Sequence, residues 1–195
     1  MPGGWDFAAA VLGGALPEAA EAALREASEL RGDRCAEEAA LERAQVLAPG
    51  HPAVLIAWYR WHFYGNRFDA ARGIAMHALE STARVLGLPE DWRQLPDRPL
   101  GGAEDDVATR FYLWILKGYA YLSLRLGEAD VARDVLAKLR TLDPDDHVGA
   151  ALLEAVRQRR ERDADDVDDE PALPILGAAA WARVDDRARR GRARM

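Results

Sequence analysis

The sequence predicts an all-α chain built from antiparallel helical hairpins, and three observations predict it. A helix-forming run stops at a glycine in Tyr64-Gly65-Asn66-Arg67-Phe68-Asp69-Ala70-Ala71 and again in Leu126-Gly127-Glu128-Ala129-Asp130-Val131-Ala132-Arg133, with an alanine five positions past each glycine. A weaker copy stops at Gly32. Between these stops, apolar residues recur at helical spacing. A repeated hairpin cannot bury its apolar face alone, so it stacks into an array, and the usual output of an array is binding.

Residues 1–16 hold the apolar run Phe7 to Leu16. No Lys or Arg precedes it and Asp6 adjoins it, so it reads as a short capping helix rather than a secretory leader. From Pro17 an alanine- and glutamate-rich stretch favours helix up to Gly32, a natural left-handed stop. Asp33 is a plausible N-cap for a partner helix through Leu47, which Pro49-Gly50 breaks. Hairpin two has a helix at Ala53 to Tyr64 behind His51-Pro52, then a return helix from Phe68 to about Leu86. Hairpin three runs from Val107 to Leu126 and back from Ala129 to Leu142. An amphipathic helix from about Asp146 to Arg162 closes the array.

Two segments depart from the pattern. Gly32 and Gly65 are 33 residues apart but Gly65 and Gly127 are 62 apart. A repeat of about 34 residues leaves an insertion of roughly 28 at 87–106, long enough to be functional. Trp92 and Leu95 inside it suggest that it docks. Past the helical domain at 17–162, the segment 163–195 reads as an extended acidic linker, with six acidic residues in Asp163 to Glu170, followed by an arginine-rich tail. The apolar patch Pro171 to Trp181 on that tether is a candidate for intramolecular docking at high effective concentration.

Composition narrows the class. An apolar content of 49% suits a packed core. A net charge of -7 argues against general nucleic-acid binding, although the arginines from Arg183 onward leave RNA, an anionic membrane or an acidic partner open for the tail. Cys35 is the single cysteine, which excludes an intrachain disulfide and a cysteine-based zinc site and points to a reducing, cytoplasmic setting. No apolar stretch approaches the ~20 residues of a membrane span. Basic residues are almost all arginine, as in proteins of GC-rich bacterial genomes.

Hairpin three resembles the tetratricopeptide repeat (TPR): Leu116 and Ala120 on its first helix, Gly127 at the turn, Ala132 and Leu136 on the second, and Pro144 at the end. Hairpin two matches at Gly65, Phe68 and Ala70 but carries Trp58 and Trp61 where a small residue and a tyrosine are expected. Hairpin one matches at Gly32, Ala44 and Pro49, with Ala36 one place early. The resemblance implies a short right-handed α-solenoid whose first helices line a concave groove for partner peptides. Its groove positions fall on Leu55, Tyr59, His62, Phe63, Trp114, Lys117, Tyr121 and Arg125. That set suits an amphipathic or acidic peptide. The family's dicarboxylate clamp is not matched, since only Lys117 falls on a clamp-like position and Tyr121 stands where an asparagine belongs.

The run Trp58 to Tyr64 is aromatic on every side of its helix, which fits a central core element, a groove, or both on different faces. His51, His62, His77 and His147 form no pair at metal-site spacing, and the acidic run lacks the central glycine of a calcium loop. Neither a metal nor another cofactor is expected. No phosphate loop or nucleophile elbow occurs, so the chain reads as a non-catalytic adaptor or assembly chaperone with a protein or peptide partner. The small three-repeat format is similar to chaperones of type III secretion translocators. It equally resembles accessory proteins of metalloenzyme maturation, and the phrasing around Trp58 to Phe68, Leu86 to Arg93 and Arg110 to Gly127 resembles repeat proteins of nitrogen-fixation gene sets. The rival class is a regulatory domain or subunit of an enzyme, with 87–106 as a lid.

Overall fold

In the computed structural model, residues 16–101 and 106–165 are described. Their regular structure is helical throughout: α1 (Glu18–Glu29), α2 (Arg34–Leu47), α3 (Pro52–Tyr64), α4 (Phe68–Leu86), a 3-10 turn (Trp92–Gln94), α5 (Val107–Arg125), α6 (Ala129–Leu142) and α7 (Ala150–Asp165). The all-α expectation therefore stands. One compact unit extends to Arg159 and a second begins at Arg160, of which the end of α7 is described. Apart from Leu16, the capping segment lies outside the described residues, as does the tail beyond Asp165.

Local chemistry sets the helix starts. The Asp33 carboxylate accepts from the Ala36 N–H at 3.1 Å, and Asp106 accepts from the Thr109 N–H at 2.8 Å. Each satisfies a donor that the first turn leaves open. His51 does the same for α3 through Nδ1, accepting from Ala53 N–H at 3.2 Å, with Pro52 inside the first turn.

The turns correct the register of the repeated phrase. At the α5–α6 turn Gly127 takes a positive φ of 81°, and the Glu128 N–H donates back to the Ser123 carbonyl. At the α3–α4 turn the same bond runs from Arg67 N–H to the His62 carbonyl, so the residue matching Gly127 is Asn66, at φ 56°, while Gly65 keeps φ −82°. Asparagine is the other residue that tolerates the left-handed region. The buried alanine of hairpin two is accordingly Ala71, fully inaccessible, and not the exposed Ala70. With the turns aligned this way, Gly32, Asn66 and Gly127 are 34 and 61 residues apart.

The last helix also starts later than expected, at Ala150 rather than Asp146. Asp146 and Gly149 both have positive φ, and the Asp146 carboxylate accepts from Ala150 N–H at 2.5 Å. Asp143, buried just upstream, accepts from Val148 N–H at 3.0 Å and lies 2.7 Å from His147 Nδ1. These bonds hold a compact turn that keeps helix from forming before Gly149.

Two apolar clusters meet at α3. One joins Leu24, Leu41 and Ala44 of the first two helices to Val54 and Trp61 of α3; the other joins Leu55 of α3 to α4, α5 and α6 through Leu79, Leu116 and Leu139. This is why α3 is apolar on every side: it is packed on two sides at once. Helices otherwise pack chiefly on their neighbours in sequence, and α2 meets α3 over a much shorter stretch than α1 meets α2 or α3 meets α4.

The described part of the insertion is docked. Trp92 and Leu95 are 7% and 3% exposed and belong to the second cluster. Lys138 of α6 donates to the Leu95 carbonyl at 2.9 Å and to Asp97 at 2.6 Å, and Leu100 N–H donates to the Leu142 carbonyl at 2.9 Å. The segment is tied to α6.

Candidate functional site

Tyr59 and Phe63 sit one turn apart on α3, with ring centroids 5.8 Å apart and nearly parallel planes. Across from them on α5, Trp114 approaches Tyr59 to 6.3 Å and Tyr121 approaches Phe63 to 5.7 Å. Gly118 lies between Trp114 and Tyr121 on the same face, and a side chain there would meet the Tyr59 hydroxyl at 3.2 Å. The missing Cβ lets the tyrosine ring lie against α5. Arg125, one turn past Tyr121, donates to its hydroxyl at 3.1 Å and holds its guanidinium 4.2 Å over the Phe68 ring. Stacked in this way, the cation is fixed without a carboxylate partner among the described residues.

Burial, aided by the neighbouring Tyr121 and Tyr64, pushes the Tyr59 hydroxyl up to about 12. Trp114 is 46% exposed, so the cluster has a solvent-facing edge. The arrangement offers flat apolar area and one oriented guanidinium, which suits aromatic or aliphatic side chains next to a carboxylate.

Of the eight residues expected to line a groove, the structure brings together Tyr59, Phe63, Trp114, Tyr121 and Arg125. Leu55 is 2% exposed and belongs to the core. His62 turns to the opposite side of α3, stacking on Trp58 at 5.5 Å. Burial lowers its pKa, and Arg67 and Arg34 lower it further against the opposing pull of Glu38. Lys117 donates its ammonium to the Val148 carbonyl. Leu55 and His62 depart from the pattern because it assumes a helix with one inward face, whereas α3 is buried on two; Lys117, on α5, is engaged instead by the turn before α7.

Sequence reasoning missed a second cluster. Arg34 and Arg67 both lie over the Trp61 ring, at 4.4 and 3.4 Å from its centroid. Arg34 comes from α2, 27 residues away, and no periodicity signals that contact.

Among the described residues, no group of three His, Cys, Asp or Glu is placed to hold a metal, and no helix is long and apolar enough to cross a membrane. Two of the carboxyls held below their ordinary range, Asp106 and Asp143, bond to the backbone. Asp106 is lowered by its bonds from the Thr109 hydroxyl and N–H. For Asp143, burial pushes upward but the bonds from His147 and Val148 outweigh it.

No family model and no solved structure matches the chain. It is similar to a protein of Azotobacter chroococcum mcd 1 described as an uncharacterized 19.8 kDa protein in the nifW 5′ region. The two are 40% identical over 129 residues, 65% of this chain and 72% of the Azotobacter protein.

Proposed function

The chain belongs to the family of that Azotobacter nifW-region protein, and from that premise we propose that it is a non-catalytic adaptor or assembly chaperone. It holds a partner peptide or helix on the α3–α5 aromatic face. The observation that carries this reading is the convergence of Tyr59, Phe63, Trp114, Tyr121 and Arg125 from two helices onto one partly exposed surface. Aromatic and arginine side chains of this kind dominate the energetics of protein interfaces.

The architecture we assign is a short TPR-like solenoid of three hairpins closed by α7. The 34-residue separation of the left-handed turn residues Gly32 and Asn66 supports it, as does packing mainly between sequence neighbours. The genetic position of the relative favours nitrogen fixation, with its metalloenzyme maturation, as the setting in which to seek the partner, ahead of type III secretion. An enzyme-lid role for 87–106 has less support, because the described part of that segment is anchored on α6 by Lys138.

The test is affinity capture with the full-length chain in a nitrogen-fixing host, run side by side with Tyr121→Ala and Trp114→Ala. The reading expects a protein retained by the wild type and lost from both variants. Retention by both would refute it.

A further inference from the structure

Between α1, α2 and α3 lies an open cavity of about 500 Å³. That volume falls within the range of ligand sites, about 300–1,000 Å³, which combine apolar walls with a few convergent polar groups. The apolar surface it presents comes from Ile56, Ala57 and the exposed ring of Tyr64 on α3, above a covered floor of Leu24, Leu41, Ala53 and Trp61. The polar groups are Arg31, Arg34 and Arg60, all exposed, against Glu37 as the one carboxylate among the described lining residues. A side chain entering here gains apolar contact below and meets guanidiniums above.

These arginines differ from seven others in the chain. Arg25, Arg43, Arg72, Arg84, Arg93, Arg133 and Arg157 each form an ion pair with a carboxylate. Arg31, Arg34 and Arg60 form none among the described residues. Arg34 is nonetheless held in place, 4.4 Å from the Trp61 ring centroid and 3.5 Å from the Trp61 carbonyl, and Arg67 adds a further cation on the same ring. The guanidiniums of Arg31, Arg34, Arg60 and Arg67 outnumber the nearby carboxylates of Glu37 and Glu38, so the local balance is positive in a chain whose net charge is -7. That overall charge disfavours a long polyanion. A short segment carrying a few carboxylates and a bulky apolar side chain matches both the charge and the wall.

We propose that this cavity is a second docking site, separate from the α3–α5 face, for an acidic segment of a protein partner. The segment's apolar side chain packs on Ile56, Ala57 and Tyr64, and its carboxylates bond to Arg31, Arg34 and Arg60. Guanidinium–carboxylate bonds are among the stronger hydrogen bonds and add orientation to the apolar contact. The proposal rests on the adaptor reading and adds the partner's chemistry to it.

The probe is a fluorescein-labelled peptide of alternating glutamate and leucine, titrated by anisotropy into the full-length chain. A glutamine–leucine counterpart and a labelled single-stranded oligonucleotide serve as alternatives. The acidic peptide should bind about tenfold or more tightly than the glutamine version and weaken steeply with salt. The double variant Arg31→Glu/Arg60→Glu should lose about tenfold or more of that affinity, while Arg25→Glu, outside the cavity lining, should stay within about twofold. Equal binding of the glutamine peptide, unchanged affinity in the double variant, or binding of the oligonucleotide alone would overturn the proposal. So would acidic-peptide binding that emerges only after deletion of residues 1–15, which would assign the cavity to the chain's own N-terminal segment. The two readings separate on the captured partner. A partner lost with Tyr121→Ala but kept by the double variant sinks this proposal alone; peptide capture in the cavity with Tyr121→Ala harmless to the partner sinks the aromatic-face reading alone.

Discussion

Replacing Trp92 with alanine tests whether the insertion is part of the folded core. The side chain is 7% exposed and packs in the cluster shared by α3, α4, α5 and α6. A buried indole removes about 150–250 Å² from water, which at about 25 cal/mol per Å² amounts to roughly 4–6 kcal/mol. Collapse of a surface segment into part of the vacated space reduces that figure, and Trp→Ala changes in cores cost about 3–5 kcal/mol. A loss of about 3–4 kcal/mol is therefore expected. With an m-value of about 2 kcal/mol per molar urea, the unfolding midpoint followed by far-UV circular dichroism should fall by about 1.5–2 M. Arg93→Ala is the control: its guanidinium stacks on the same indole at 4.4 Å but is exposed, and it should cost under about 1 kcal/mol. If Trp92→Ala costs no more than that control, the segment does not belong to the core and the reasoning fails.

The turn register predicts that Gly127→Ala costs about 1–2 kcal/mol in urea unfolding, because φ is 81° there, whereas Gly65→Ala, at φ −82°, carries no backbone strain and costs under about 1 kcal/mol, the loss of the exposed Arg34 guanidinium's contact with Trp61. Equal costs at the two positions would contradict the alignment of Asn66 with Gly127. Asp143 has a folded-state pKa below its unfolded value, so its contribution is fully present above about pH 4 and is lost as pH falls through the lowered value. Asp143→Asn should flatten the acid limb of a stability–pH curve; an unchanged limb would show that the turn before α7 is not held by that charge. His62, also lowered, contributes above about pH 6.5 and loses its contribution as pH falls through its folded value, and His62→Gln should remove that step. Tyr59, raised to about 12, stays protonated while accessible tyrosines ionise near pH 10, so absorbance titration should leave it un-ionised until the fold opens. Stability linked to it is present below about pH 10 and lost as pH rises through its folded value.

Much of the helical architecture is legible because its punctuation is local. Leu86 and Leu142 end helices where the sequence places their ends, and Asp33 caps α2 as its position before an alanine-rich run implies. The misses are of two physical kinds. Gly65-Asn66 presents two residues that both tolerate positive φ, and sequence alone does not choose between them; the structure selects Asn66, which moves the buried alanine to Ala71. Other misses are long-range. The Arg34–Trp61 and Lys138–Leu95 contacts join residues 27 and 43 apart, and no pattern within a single helix encodes them. The candidate site divides in the same way. Tyr59 and Phe63, or Tyr121 and Arg125, share a face by their four-residue spacing, but Leu55 and His62 depend on which neighbours α3 has on each side.

The central claim is that the α3–α5 aromatic face holds a partner. Isothermal titration of the captured partner against the full-length chain and against Tyr121→Ala, with circular dichroism to verify folding, tests it most directly. A central aromatic contact contributes about 2 kcal/mol or more, so the account predicts an affinity loss of about thirtyfold or greater in a variant that remains helical. A folded Tyr121→Ala chain that binds the partner as tightly as the wild type would contradict it.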